Sequence, residues 1–135
     1  MITYQIEEKL TAEEFIEVLV NSTLGERRPI HDIERINQML QHANLIATAR
    51  NEGKLVGVAR ALTDFAFCTY LSDLAVDGEY QKQGIGKELI RMIKNHAPKA
   101  KLILLAAPKA IHYYPKIGMS QWEHCYFLDN VEALR

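Results

Sequence analysis

An apolar run at residues 71–76 leads, through Gln81-Lys82-Gln83-Gly84-Ile85-Gly86, into a segment whose apolar residues Ile85, Leu89, Ile90 and Ile93 recur at helical spacing. This stretch constrains the fold most tightly, because it demands a strand, a glycine turn and a helix in that order. Such a turn leaves the first N–H groups of the helix without intrahelical partners, all aimed at one spot. Together with the positive end of the helix dipole they form a site for a phosphate or pyrophosphate. The alternative is a plain strand–helix turn with packing glycines. Two familiar phosphate loops are excluded by spacing. A P-loop ending in Gly86-Lys87 would need glycine at position 81, which is Gln81, and Glu88 stands where Ser or Thr would bind magnesium. A dinucleotide fingerprint starting at Gly84 and Gly86 would need a third glycine where Leu89 stands.

The rest of the chain supplies partners for this unit. Residues 2–6 alternate as a strand. Thr11 and Glu14 have capping-box spacing, and Phe15, Ile16, Leu19 and Val20 form an apolar stripe behind them, predicting a helix that ends near Gly25. Asp32 is placed to cap a second helix with Ile33, Ile36, Met39 and Leu40 inward. Residues 45–50 and 54–62 read as a hairpin about Asn51-Glu52-Gly53. Residues 67–76 are the strand that precedes the glycine loop. Pro98 closes the helix after it. Residues 102–105 are apolar on both faces, predicting a central strand. Residues 107–114 read as a short helix, which Pro115 kinks or ends, and residues 121–127 as a final strand.

Composition narrows the class. At 135 residues with 48% hydrophobic content the chain is expected to form a single domain, 1–135, with one core. A formal charge of −1 gives no reason to expect nucleic acid as a partner. No apolar run approaches the roughly 18 residues that span a bilayer, so no membrane segment is expected. The first eight residues lack the basic and apolar regions of a signal peptide. Cys68 and Cys125 are too few for a disulfide framework, and no Cys/His cluster has zinc spacing. These features point to a reducing, cytoplasmic setting and to no metal.

The segment from Leu74 through Gly84-Ile85-Gly86 to Ile90 resembles the Q/R-x-x-G-x-G/A pyrophosphate loop of the GCN5-related N-acetyltransferases (GNAT). Downstream, Ala110-Ile111-His112-Tyr113-Tyr114-Pro115-Lys116-Ile117-Gly118-Met119 is similar to the family's second signature, with Met119 where Phe is usual. The resemblance, to small stand-alone bacterial members in particular, implies an α/β fold with a mixed, mostly antiparallel central sheet flanked by helices, in the order β-α-α-β-β-β-α-β-α-β. It implies acetyl transfer from acetyl-CoA to a primary amine, by direct attack in a ternary complex. A small-molecule acceptor is favoured. A non-catalytic acyl-CoA sensor and a protein lysine or N-terminal acetyltransferase are the alternatives.

The resemblance also distributes roles. Gln81, Lys82, Gln83, Gly84, Ile85, Gly86, Lys87 and Glu88 would hold the pyrophosphate. Leu74, Ala75 and Val76 would pair their backbone with the pantetheine arm, and a bulge would splay that strand from its neighbour. Tyr114 would protonate the leaving thiolate, with Tyr113 a core residue. Asp73 would act as base or orient the amine, or else bond the backbone of the splayed strand; Asp64, Tyr70 and His112 rank below it as bases. Arg27 and Arg28, in the loop expected on the acceptor side, would recognise an anionic group or else be solvated. A homodimer is possible, with Trp122 and Tyr126 at its interface or in the core.

Overall fold

A computed structural model describes residues 1–135. The chain divides into two compact units, Met1–Leu105 and Ala106–Arg135.

The first unit contains β1 (Ile2–Ile6), α1 (Ala12–Asn21), α2 (Ile33–His42), β2 (Leu45–Asn51), β3 (Lys54–Thr63), β4 (Cys68–Val76), α3 (Ile85–His96) and β5 (Lys101–Ile103). The strands form one five-stranded sheet in the order β1-β2-β3-β4-β5. The first three pairings are antiparallel and β4–β5 is parallel, so the sheet is mixed as expected. Local rules account for the helix starts. Thr11 Oγ1 accepts the Glu14 N–H (3.1 Å) and Glu14 accepts the Thr11 N–H (2.9 Å), a complete capping box. Asp32 accepts the Arg35 N–H at the start of α2 (3.1 Å). The end of α1 is earlier than predicted. Thr23 takes the left-handed turn (φ +72°), and Gly25 is a packing glycine whose missing Cβ would lie 3.3 Å from the Leu19 backbone.

Each face of the sheet carries its own apolar layer. Phe15, Leu19, Ile36 and Leu40 of α1 and α2 pack with Val58 and Ala75. Ile85, Leu89 and Ile93 of α3 pack with Ala59 and Leu71 on the other face. Each large side chain so buried contributes roughly 1.5–3 kcal/mol. The approach of α3 is set by Gly57, where a Cβ would lie 3.0 Å from Ile85 Cγ2 and 3.2 Å from Leu89 Cδ1.

Leu71 and Ala75 lie on opposite faces although their numbers are both odd, so the period-2 alternation is broken between them. The cause is a bulge in β4. Arg60 stands opposite Asp73 and Ala61 opposite Leu71, leaving Ser72 without a partner.

Two strand predictions are corrected. Residues 102–105 do not make a central strand: β5 covers Lys101–Ile103 at the sheet edge, and Ile103 is exposed. Residues 121–127 form no strand, and all are exposed. Alternation alone does not make a strand, because its N–H and C=O groups need ladder partners.

The second unit has short elements only: 3-10 turns at Pro108–Ala110 and Val131–Ala133, and α4 (Tyr113–Lys116). Pro115 does not end the helix. It sits in the first turn of α4, where an N–H has no intrahelical acceptor to lose. The end is set by Gly118 (φ +103°), whose N–H donates to Pro115 C=O (3.1 Å) while the Met119 N–H donates to Tyr114 C=O (3.0 Å). That paired Schellman geometry needs the left-handed residue that glycine supplies.

Candidate active site

The glycine loop connects β4 to α3 as predicted. The first intrahelical bond of α3 runs from the Glu88 N–H to Gly84 C=O (3.0 Å). The N–H groups of Ile85, Gly86 and Lys87 therefore lie before the helical ladder, and no side chain caps them. Gly84 is the N-cap at φ +83°, and a Cβ there would meet nothing within 4 Å, so the space over the helix start is open. Lys82 is also left-handed (φ +64°), and alternation of this kind is the backbone pattern of anion-binding nests. Lys82, Gln83 and Lys87 are exposed, whereas Ile85 is buried and anchors the helix start to the sheet. Glu88 is ion-paired with Arg91 (2.8 Å). Gln81 does something the sequence did not indicate: its Nε2 donates to Val76 C=O (2.9 Å) and fastens the loop to the end of β4.

Beside the loop, β4 has a free edge. Its parallel pairing with β5 covers Cys68, Thr69 and Tyr70 and goes no further. On the other side, the Asp77 N–H donates to Val56 C=O (2.8 Å). Because antiparallel ladders alternate, the N–H groups of Val76 and Leu74 point away from β3 and out at that free edge. An extended amide chain can add to such an edge as a strand would.

Deeper in the same strand, the bulge is held by charge. Arg28 Nε and Arg60 Nε donate to the two separate oxygens of Asp73, whose side chain is fully buried. Arg28 Nη2 donates to Ser72 C=O (2.7 Å), and Arg60 Nη2 to Ser72 Oγ (3.0 Å). Arg60 Nη1 donates to Met39 C=O of α2 (3.0 Å). This geometry does not fit Asp73 as an open base. Both oxygens are taken by guanidinium donors, and no face is left for an incoming ammonium. Arg28 likewise spends its donors inside the protein, the third on Arg27 C=O (2.9 Å), whereas Arg27 is exposed. Arg60 went unnoticed in the sequence. The signal for it is a cation inside the apolar run of β3, matched by an anion inside the run of β4.

Asp64 accepts the N–H groups of Phe67, Ala66 and Cys68, which hold its carboxyl at about 2, so it shapes a turn. Tyr70 is partly exposed on β4, and His112 is exposed at the start of α4. In the second unit, burial and then the neighbouring Tyr113 raise the Tyr114 phenol above its ordinary value. The two rings meet edge to face with centroids 5.2 Å apart. Tyr113 is exposed, so it is not the core residue expected. Trp122 and Tyr126 are exposed as well, and neither belongs to a core. No helix is long and apolar enough to cross a membrane.

Residues 9–119 match the family model of the acetyltransferase (GNAT) family. Among curated proteins, the chain is 35% identical over 72 residues to GCN5-related N-acetyltransferase 2, chloroplastic, of Arabidopsis thaliana, an alignment covering 51% of this chain and 28% of that one. It is 29% identical over 111 residues to an uncharacterised N-acetyltransferase of Porphyra purpurea, covering 76% of this chain and 62% of that one. The chain thus spans less than two thirds of the length of either relative. Among solved structures, a GNAT-family acetyltransferase of Streptococcus pneumoniae superposes with a TM-score of 0.79 at 24% identity, over 97% of this chain and 98% of that one. An aminoglycoside N-acetyltransferase in complex with CoA superposes with a TM-score of 0.71 at 14% identity, over 97% of this chain and 95% of that one. At these identities the structural likeness is one of fold.

Proposed function

The chain belongs to the acetyltransferase (GNAT) family, and on that premise we propose that it moves an acetyl group from acetyl-CoA to a primary amine of a small molecule. One observation carries this reading: an uncapped helix start and a free strand edge lie at the two ends of the 77–84 loop, at Gly84 and at Leu74 and Val76. A pyrophosphate followed by an amide-bearing arm is the ligand shape that uses both.

Acetyl-CoA supplies the activated acyl thioester; the chain's residues hold it and manage charge. The N–H groups of Ile85, Gly86 and Lys87 take the pyrophosphate, with Lys82 and Lys87 adding positive charge. The backbone of Leu74, Ala75 and Val76 takes the arm, and the Leu74 N–H polarises the acyl carbonyl. The amine nitrogen bonds to the acyl carbon, the carbon–sulfur bond breaks, the amine loses a proton, and the sulfur gains one, a part that the resemblance of the second signature gives to the Tyr114 hydroxyl. Direct attack accounts for transfer without an acyl-enzyme. Solvent, not Asp73, takes the amine proton in this reading. On the acceptor side Arg27 is the cation left to meet an anionic group, Arg28 being engaged with Asp73.

Calorimetric titration tests the reading, with acetyl-CoA set against pantetheine that lacks the nucleotide. Micromolar binding that is lost without the pyrophosphate supports it, and absence of binding to intact acetyl-CoA overturns it. Bound acetyl-CoA with no turnover across an amine panel would mark a sensor instead.

Once an acceptor is in hand, Tyr114→Phe is expected to lower kcat about 10²-fold with KM little changed, as for loss of a general acid. The sign of the pH effect follows from the raised phenol. The acid must be protonated, so the native rate holds through neutral pH and falls only above pH ~10. The variant loses that alkaline limb. An unchanged pH–rate profile in the variant would remove Tyr114 from the role.

A further inference from the structure

The bulge in β4 decides which N–H groups reach the free edge. Were Ser72 paired in register instead of bulged, the alternation would run on unbroken, and the N–H groups of Leu74 and Val76 would point into the sheet. A bulge also strips its own residue of ladder partners, so something else must satisfy that residue. Here Arg28 satisfies the Ser72 carbonyl (2.7 Å) and Arg60 the Ser72 hydroxyl (3.0 Å). Both arginines lock onto the adjacent Asp73, and Arg60 is tied in turn to Met39 C=O of α2. The cluster carries two cations and one anion, with side chains of Asp73 and Arg60 0% and 7% exposed.

We propose that Arg60 is a positioning residue. Through Asp73 and Ser72 it fixes the bulge that presents the Leu74 N–H to the acyl carbonyl, and the net positive charge of the cluster favours the oxygen as it gains negative charge. The proposal rests on the reading that acetyl-CoA lies along β4. A planar guanidinium reaches Asp73, Ser72 and Met39 from one fixed fork, which a lysine ammonium cannot do from a single point.

The test uses the full chain with Arg60→Lys and Ser72→Ala. Two ligands are bound to each: 3′-phosphoadenosine 5′-diphosphate, the nucleotide half of coenzyme A, and acetyl-CoA carrying a ¹³C label at the acyl carbonyl. The nucleotide is expected to bind all three proteins within about twofold, showing that the loop and fold are intact. Acetyl-CoA is expected to bind R60K about three- to tenfold more weakly, the scale of one weakened hydrogen bond. Its labelled carbonyl band in infrared should lie below the free value in the native protein and move back toward it in R60K. A band that stays put in both variants overturns the proposal. If R60K melts, S72A decides alone, since it removes only the hydroxyl that Arg60 holds: a shifted band supports the proposal and an unmoved one overturns it. Failure of the native protein to bind acetyl-CoA would instead overturn the functional reading, a result that the titration reports separately.

Discussion

Replacing Asp73 by alanine is expected to destabilise the fold by about 3–5 kcal/mol, the usual result of removing one partner from a buried ion cluster. Two guanidiniums would then face each other across the vacated position, with Arg60 only 7% and Arg28 20% exposed in their side chains. Neither reaches water well enough to recover its hydration. Urea unfolding would read the loss as a lower midpoint with little change in slope. The double variant Asp73→Ala/Arg60→Met should recover much of it, because one surplus charge is gone and apolar volume fills the gap. If Asp73 were a solvent-facing base, the single variant would lose turnover and keep its stability. An unchanged urea midpoint would therefore contradict the ion cluster described above.

Gly84→Val should act on binding more than on folding. Gly84 sits at φ +83°, a region that β-branched residues avoid, which costs roughly 1–3 kcal/mol of backbone strain. Added methyl groups would also stand in the open space above the uncapped start of α3. Losing two charge-assisted hydrogen bonds at about 1.5 kcal/mol each weakens acetyl-CoA binding ~100-fold. Calorimetry with acetyl-CoA checks this, and a thermal melt of the variant separates the binding loss from the strain. Gly84→Ala should fall between the two proteins. Full affinity in the valine variant would mean that the phosphates sit elsewhere.

The features legible in the sequence are those governed by near neighbours. Thr11 and Glu14 are three residues apart, and their capping box formed as spelled. The Glu52-Gly53 hairpin and the strand–glycine–helix unit formed likewise. What escaped depends on pairings across the chain. Arg28 and Asp73 are 45 positions apart, and only the completed sheet brings them together. Asp73 is misleading for that reason: a carboxylate in β4 reads as a base until its partners Arg28 and Arg60 are known. Residues 121–127 failed in the opposite direction, because their alternation is local but strand formation is not. Pro115 shows that position decides a proline's effect. A proline inside a helix breaks it, whereas one in the first turn of α4 does no harm.

Gly57 has a reach that its own position does not suggest. It lies in the middle of β3, yet the atoms nearest its missing Cβ belong to Ile85, the first residue of the helix that caps the glycine loop, and to Leu89 one turn on. Side-chain volume at this one interior position therefore acts as a spacer beneath the helix start proposed to anchor the cofactor. Two relatives with identical loops but a glycine in one and an alanine in the other would grip the same ligand differently, and a comparison limited to ligand-touching residues would find no reason for it. In engineering terms, position 57 is a tuning screw set from the back of the sheet.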